Sequence, residues 1–148
     1  MSPSVKPIPD GYPQVSPSLV IDGAAQAIDF YTQVLGATER MRMGGPDGRV
    51  GHAEIQFGDS VVMLGQSPDQ TRTTHSMLYL YVPDVDAVYE KAVAAGGISL
   101  REPVDQFYGD RSGAVKDPGG NEWWIATHKE DLSPQEMERR MAAQRANA

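Results

Sequence analysis

The sequence predicts an α+β protein built from two βαβββ modules whose sheets join around one cavity. Three observations carry this. The order strand, helix, three strands occurs twice in 148 residues, over about 15–65 and again over about 75–128. A shift of 60 residues lays Ala27-Ile28 on Ala87-Val88 and Gly36 on Gly96, and a shift of 62 lays Gly58 on Gly120. Each helical pattern closes on glycine, which takes the left-handed conformation common just past a helix end.

The elements follow in order. Residues 1–14 hold Pro3, Pro7, Pro9 and Pro13, which lack amide donors and bias their predecessors to extended geometry, so they form an arm. A strand over 15–21 ends at Asp22-Gly23, and Asp22 is placed to cap a helix over 24–35 whose Ala27, Ile28, Tyr31, Val34 and Leu35 fall on one stripe. A strand over 37–43 and the turn run Gly44-Gly45-Pro46-Asp47-Gly48 lead into VGHAEIQFGDSVVML at 50–64, a hairpin on Gly58-Asp59. The second module repeats this with a strand over 77–82, a helix over 85–95, a short strand over 98–101 and a hairpin pairing 111–116 with 122–127 across Asp117-Pro118-Gly119-Gly120. Ser133-Pro134-Gln135-Glu136 has the capping-box pattern and opens a helix over about 133–146, with Met137 and Met141 as a narrow stripe for the body or a partner subunit.

Composition narrows the function. The net charge is −7 and the 13 Lys and Arg are scattered, which excludes a nucleic-acid partner because phosphate binding needs concentrated basic charge. No apolar run nears the ~20 residues of a membrane span, and no signal-peptide pattern opens the chain, so a cytoplasmic place is expected. Without cysteine there is no disulfide, thiolate ligand or cysteine nucleophile. A metal would have to be held by His, Asp or Glu.

Candidate site residues come from period-2 alternation. His52, Glu54 and Gln56 point one way from the 50–57 strand, either as a polar cavity wall or as solvated surface. His52, Glu54 and Glu122 are the candidates for acid–base work, although His52 and Glu54 stand about 7 Å apart along the strand. Tyr79 and Tyr81 lie on the Met77 face of their strand. Trp124 is assigned to the cavity and Trp123 to the core, since neighbours on a strand face opposite ways. Arg111, in the loop entering the last hairpin, can clamp a ligand carboxylate or phosphate, or else pair with Asp110 at the surface. His128 reads as a solvated side chain at a strand end.

Several stretches carry a resemblance: KPIPDGY at 6–12, AIDFY at 27–31, GPDGRVGHAEIQFGDSVVML at 45–64, LYVPDVDAVYEKAVAAGG at 80–97, DQFYGDRSG at 105–113 and DPGGNEWWIATHKEDLSPQEM at 117–137. With the duplicated modules, they resemble the PhnB-like subgroup of the vicinal oxygen chelate superfamily, which includes glyoxalase I, extradiol dioxygenases and bleomycin-resistance proteins. The resemblance implies a glyoxalase-like curved sheet around a cavity and a homodimer. It also implies metal-ligand positions at Ser16, Val62 (within a residue), Met77 and Trp124, none of which is a His or a carboxylate. A displaced divalent-metal site would draw on His52, His75 and Glu122.

Three functions remain open. The first is a metal-independent binder of an apolar or aromatic small molecule, with His52, Glu54, Gln56, Tyr79, Tyr81, Arg111 and Trp124 around it and no cofactor. The second is a metal-dependent lyase, isomerase or dioxygenase, and the third an interaction module with a vestigial cavity.

Overall fold

The computed structural model describes residues 4–45 and 47–148; Pro3 of the arm and Pro46 of the first turn lie outside them. The chain divides into two compact units between Thr74 and His75. The first holds β1 (Ser18–Ile21), α1 (Ala24–Gln33), β2 (Thr38–Gly44), β3 (Val50–Phe57) and β4 (Ser60–Gln66). The second holds β5 (Met77–Tyr81), α2 (Val85–Ala94), β6 (Ile98–Asp105), β7 (Asp110–Lys116) and β8 (Glu122–His128), followed by α3 (Pro134–Ala146).

Their sheets run β1-β4-β3-β2 and β5-β8-β7-β6. In each, the first strand lies parallel to the last and the other pairings are antiparallel. The two βαβββ modules are therefore present, with one topology used twice.

Alternation assigns the two faces of each sheet. In the first unit Leu19, Leu64 and Ala53 are cross-strand partners, and they are buried together with Ile21, Ile55, Val62 and the α1 residues Ala27, Ile28 and Tyr31. In the second, Leu78, Trp123 and Val115 form the corresponding row under α2, and Trp123 donates from Nε1 to Asp117 Oδ2 at 2.8 Å. Each fully buried Leu or Ile contributes about 1.5–3 kcal/mol over leaving it exposed, so these faces hold the units together. The opposite, helix-free faces carry the candidate site residues.

Three local expectations are corrected. Asp22 does not cap α1: Gly23 stands at the cap position with φ 78°, and the first amides are held from across the sheet by Gln66, whose Oε1 accepts from Gly23 N and Ala24 N at 3.1 Å each. Gln66 in turn donates to Asp22 Oδ1, so Asp22 orients the cap and does not supply it. The short strand at 98–101 runs on to Asp105, because β6 is an edge strand and a register shift between Arg101 and Val104 absorbs Pro103. Ser133 does cap α3, accepting from Glu136 N at 3.1 Å, but Glu136 turns its carboxylate to Arg139 and Arg140 and does not close the box. No residue of α3 is buried. Arg140 ties the helix down through Glu130 and the Phe107 carbonyl.

Candidate functional site

Each unit places a buried carboxylate on its helix-free face and surrounds it with phenol and imidazole donors. In the first unit the carboxylate is Glu54, 4% exposed in the middle of β3. His52 Nε2 lies 3.0 Å from Glu54 Oε2, so rotamers close the gap that the strand spacing leaves between alternate residues. Tyr12, from the arm, donates to Glu54 Oε1 at 2.5 Å. Arg40 seats that phenol with its guanidinium 4.4 Å from the ring centroid, and donates to the Gly11 carbonyl. Burial opposes ionisation of Glu54, but the bonds from Tyr12 and His52 outweigh it and hold the carboxyl below its ordinary range. Gln56 leaves the group and donates to the Gly58 carbonyl. The expected trio is thus a His52–Glu54 pair completed by Tyr12.

The second unit is organised by register. Tyr79, Trp124, Ala114 and Arg101 are successive cross-strand partners and form one row across β5, β8, β7 and β6. Because Ala114 is small, Arg101 reaches across it and lies over the Trp124 ring, 4.8 Å from the centroid. The next row runs Tyr81, Ala126, Ser112, and beyond it Asp110 pairs with His128. Asp110, 4% exposed, accepts from the hydroxyls of Tyr79 and Tyr81 at 2.9 Å each and from His128 Nδ1 at 2.9 Å. His128 Nε2 sits 2.7 Å from Asp131.

A carboxyl group stands at each ring nitrogen of His128, an arrangement that favours the doubly donating, protonated ring. Its pKa is raised by Asp110 and then Asp131. For Asp110, burial is again the largest influence and is outweighed by His128, Tyr79 and Tyr81, so its pKa falls. Tyr79 is pushed up by burial and by Tyr108 and Asp110, and Tyr81 by its bond to Asp110. Both phenols therefore stay protonated.

Tyr79, Tyr81, Trp124 and Glu122 lie on the face expected of them, and Trp124 Nε1 donates to Glu122 Oε1 at 3.3 Å. Arg111 does not join them. It stands on β7, not in a loop, with odd parity that turns it under α2, where Nε and Nη2 grip Asp86 and Nη1 reaches Asp105. Nor does it pair with Asp110, which faces the other way. His128 is not a freely solvated side chain but part of the Asp110 network. His75 precedes β5 beside Gly120, where an added Cβ would stand 3.6 Å from its Nδ1. Arg101 and Asp110 were not singled out by alternation, and a cross-strand register, which also pairs Asp110 with His128, is what would have found them; Tyr12 comes from the arm, outside every strand.

A scan of family profiles matches residues 14–125 to the glyoxalase/bleomycin resistance protein/dioxygenase superfamily. The chain belongs to that superfamily. Among its relatives are uncharacterized proteins of Mycobacterium bovis and Mycobacterium tuberculosis, each 36% identical over 143 residues, covering 89% of this chain and 94% and 84% of theirs. Solved structures share the fold. The PhnB protein from Bacillus cereus gives a TM-score of 0.65 at 20% identity, covering 78% of this chain and 99% of its own. TioX from Micromonospora gives 0.63 at 24%, covering 77% and 95%. A glyoxalase-related enzyme from Fulvimarina pelagi gives 0.62 at 25%, covering 78% and 88%.

The ligand positions implied for metal-dependent superfamily members do not suit a metal here. Val62 is buried on the α1 side, and its neighbour Met63 pairs with Glu54 on the other face. Met77 and Trp124 offer a thioether and an indole, and Ser16 only a hydroxyl. Divalent ions of this kind need imidazole or carboxylate donors, so the set does not fit. Among the described residues, no three His, Asp or Glu side chains converge to hold an ion. No helix among them is long and apolar enough to cross a membrane.

Proposed function

We propose that this superfamily member is a metal-independent small-molecule-binding protein, with an aromatic ligand held on the helix-free face of the second unit. The reading rests on the exposure of large apolar groups around a fixed polar anchor: Tyr79 is 42% exposed, Tyr81 59% and Met77 63%, while the hydroxyls of both tyrosines are tied to buried Asp110. Rings held by such bonds lose little further freedom when a flat molecule stacks on them, which favours binding. The first unit's own helix-free face carries the Tyr12–Glu54–His52 group. The same reading takes the protein as cytoplasmic, in keeping with a cysteine-free chain, and as the homodimer that the resemblance implies.

Calorimetric titration with 2-naphthol and 2-naphthoate as flat aromatic probes tests the reading. Saturable heat is expected with at least one probe, unchanged by EDTA and weakened roughly tenfold in Trp124→Ala. No saturable heat with either probe, or its loss on chelation, would overturn it. Stoichiometric zinc, nickel, manganese or iron in protein purified without chelator, lost in His52→Ala, would establish the metal-dependent enzyme instead.

A further inference from the structure

We infer that the ligand of the second unit's helix-free face is an aromatic anion, a carboxylate or its sulfonate or phosphate counterpart, and that Arg101 is the residue that receives its acid group. The inference rests on the binding reading above and names the ligand's chemistry. It starts from the charge of Arg101. Among the described residues, Arg42, Arg49, Arg111, Arg139 and Arg140 are each matched to a carboxylate, whereas Arg40, Arg72, Arg101 and Arg145 make no ion pair, and of these four only Arg101 has a buried guanidinium nitrogen without an acceptor. Its side-on edge turns to the sheet, where Nη2 donates to Ser112 Oγ at 3.0 Å and Nε is buried without an acceptor. No hydrogen bond of the described residues takes the remaining nitrogen, Nη1.

The guanidinium is also fixed in place. Trp124 lies against it at 4.8 Å and Ser112 is fully buried, so the group is oriented before any ligand arrives. A planar cation held this way offers its end-on edge, with Nη1 unbonded, already oriented, and a guanidinium is more weakly hydrated than a lysine ammonium.

Position completes the argument. Arg101 ends the row that Tyr79 begins, with Trp124 between them. Neighbouring strands lie about 4.8 Å apart and the guanidinium lies over Trp124, so an aromatic ring resting on the exposed Tyr79 and Tyr81 would carry its acid group about one strand away, beside Arg101. Of the other charges on the face, the Asp110 carboxylate is bonded to His128, and Glu122, which accepts from the Trp124 indole, has Lys116 as its cross-strand neighbour.

A matched pair of probes tests this, 2-naphthoate against its neutral isostere 2-naphthamide, titrated into the full chain. The acid is expected to bind roughly tenfold more tightly, since a hydrogen bond to a charged group is worth about that factor or more. The preference should vanish in Arg101→Gln, survive in part in Arg101→Lys and shrink with added salt, with each variant's fold checked by circular dichroism. Equal affinities for the two probes in the parent protein, or a preference that persists in Arg101→Gln, would overturn the inference while leaving the binding reading intact. Failure of both probes to bind would remove both.

Discussion

Asp110 shows what a single carboxylate demands when it leaves water. An ionised group this deep costs several kcal/mol unless donors replace its hydration, and three groups do so here, two phenols and an imidazole. Asp110→Asn is expected to lower stability by about 2 kcal/mol near neutral pH, read from urea melts. The sign of the pH dependence follows from the two shifts. The depressed Asp110 pKa contributes stability above the ordinary aspartate value, lost as pH falls through the lower folded value. The raised His128 pKa contributes stability below the ordinary imidazole value, lost as pH rises through the higher folded value. The gap between parent and variant should therefore be widest between those limits and narrow on both sides; a gap independent of pH would refute the pairing. Alternation revealed Tyr79, Tyr81 and Trp124 because period 2 is local. It missed Asp110 as the partner of His128 because that needs the hairpin register, and it misjudged Arg111 because that residue, the first of its expected strand, was read with the loop before it and not by strand parity.

At the level of elements, both helices begin under a side chain from the end of their sheet's last antiparallel strand. Gln66 accepts from Gly23 N and Ala24 N, and Thr127 Oγ1 accepts from Val85 N at 2.9 Å, the same service by an amide and a hydroxyl. The helix N-terminus leaves amides unbonded, and the parallel β1–β4 and β5–β8 pairings bring these strand ends to the spot. Gln66→Leu is expected to cost about 1–2 kcal/mol in thermal or urea unfolding, the loss of a helix cap, whereas Asp22→Asn should cost less. A smaller effect at Gln66 than at Asp22 would contradict the assignment. The sequence pointed to Asp22 because it lies adjacent, and Gln66 is more than forty residues away. Asp84, the corresponding cap of α2, does act locally, accepting from Ala87 N. Likewise Pro103 reads as a strand breaker until β6 is known to be an edge, where a missing amide donor leaves no ladder bond unmade.

Across the molecule, the duplicated βαβββ order was legible because each module repeats its glycine punctuation: Gly36 and Gly96 both take positive φ past their helices, and Gly58 and Gly120 do so in the turns before β4 and β8. The segments outside the repeat were not legible in the same way. The arm is proline-rich and looks like a tether, yet it delivers Tyr12 onto Glu54. The tail carries a methionine stripe, yet no residue of α3 is fully buried, and the helix is tied to the body through Arg140, which pairs with Glu130 and reaches the Phe107 carbonyl. Such pairs are worth little, so deletion of residues 133–148 should lower stability by less than about 1 kcal/mol in urea melts. A loss of several kcal/mol, or aggregation of the shortened chain, would show that α3 covers apolar surface in an assembly.

The neighbouring tryptophans have an optical consequence. Trp123 is 2% exposed and hydrogen-bonded to Asp117, while Trp124 stands on the opposite face beside Arg101. They are the only two indoles in the chain. Intrinsic emission is therefore the sum of a shielded, blue-shifted fluorophore and one within reach of iodide or acrylamide, so the molecule carries a reference dye and a reporter dye side by side.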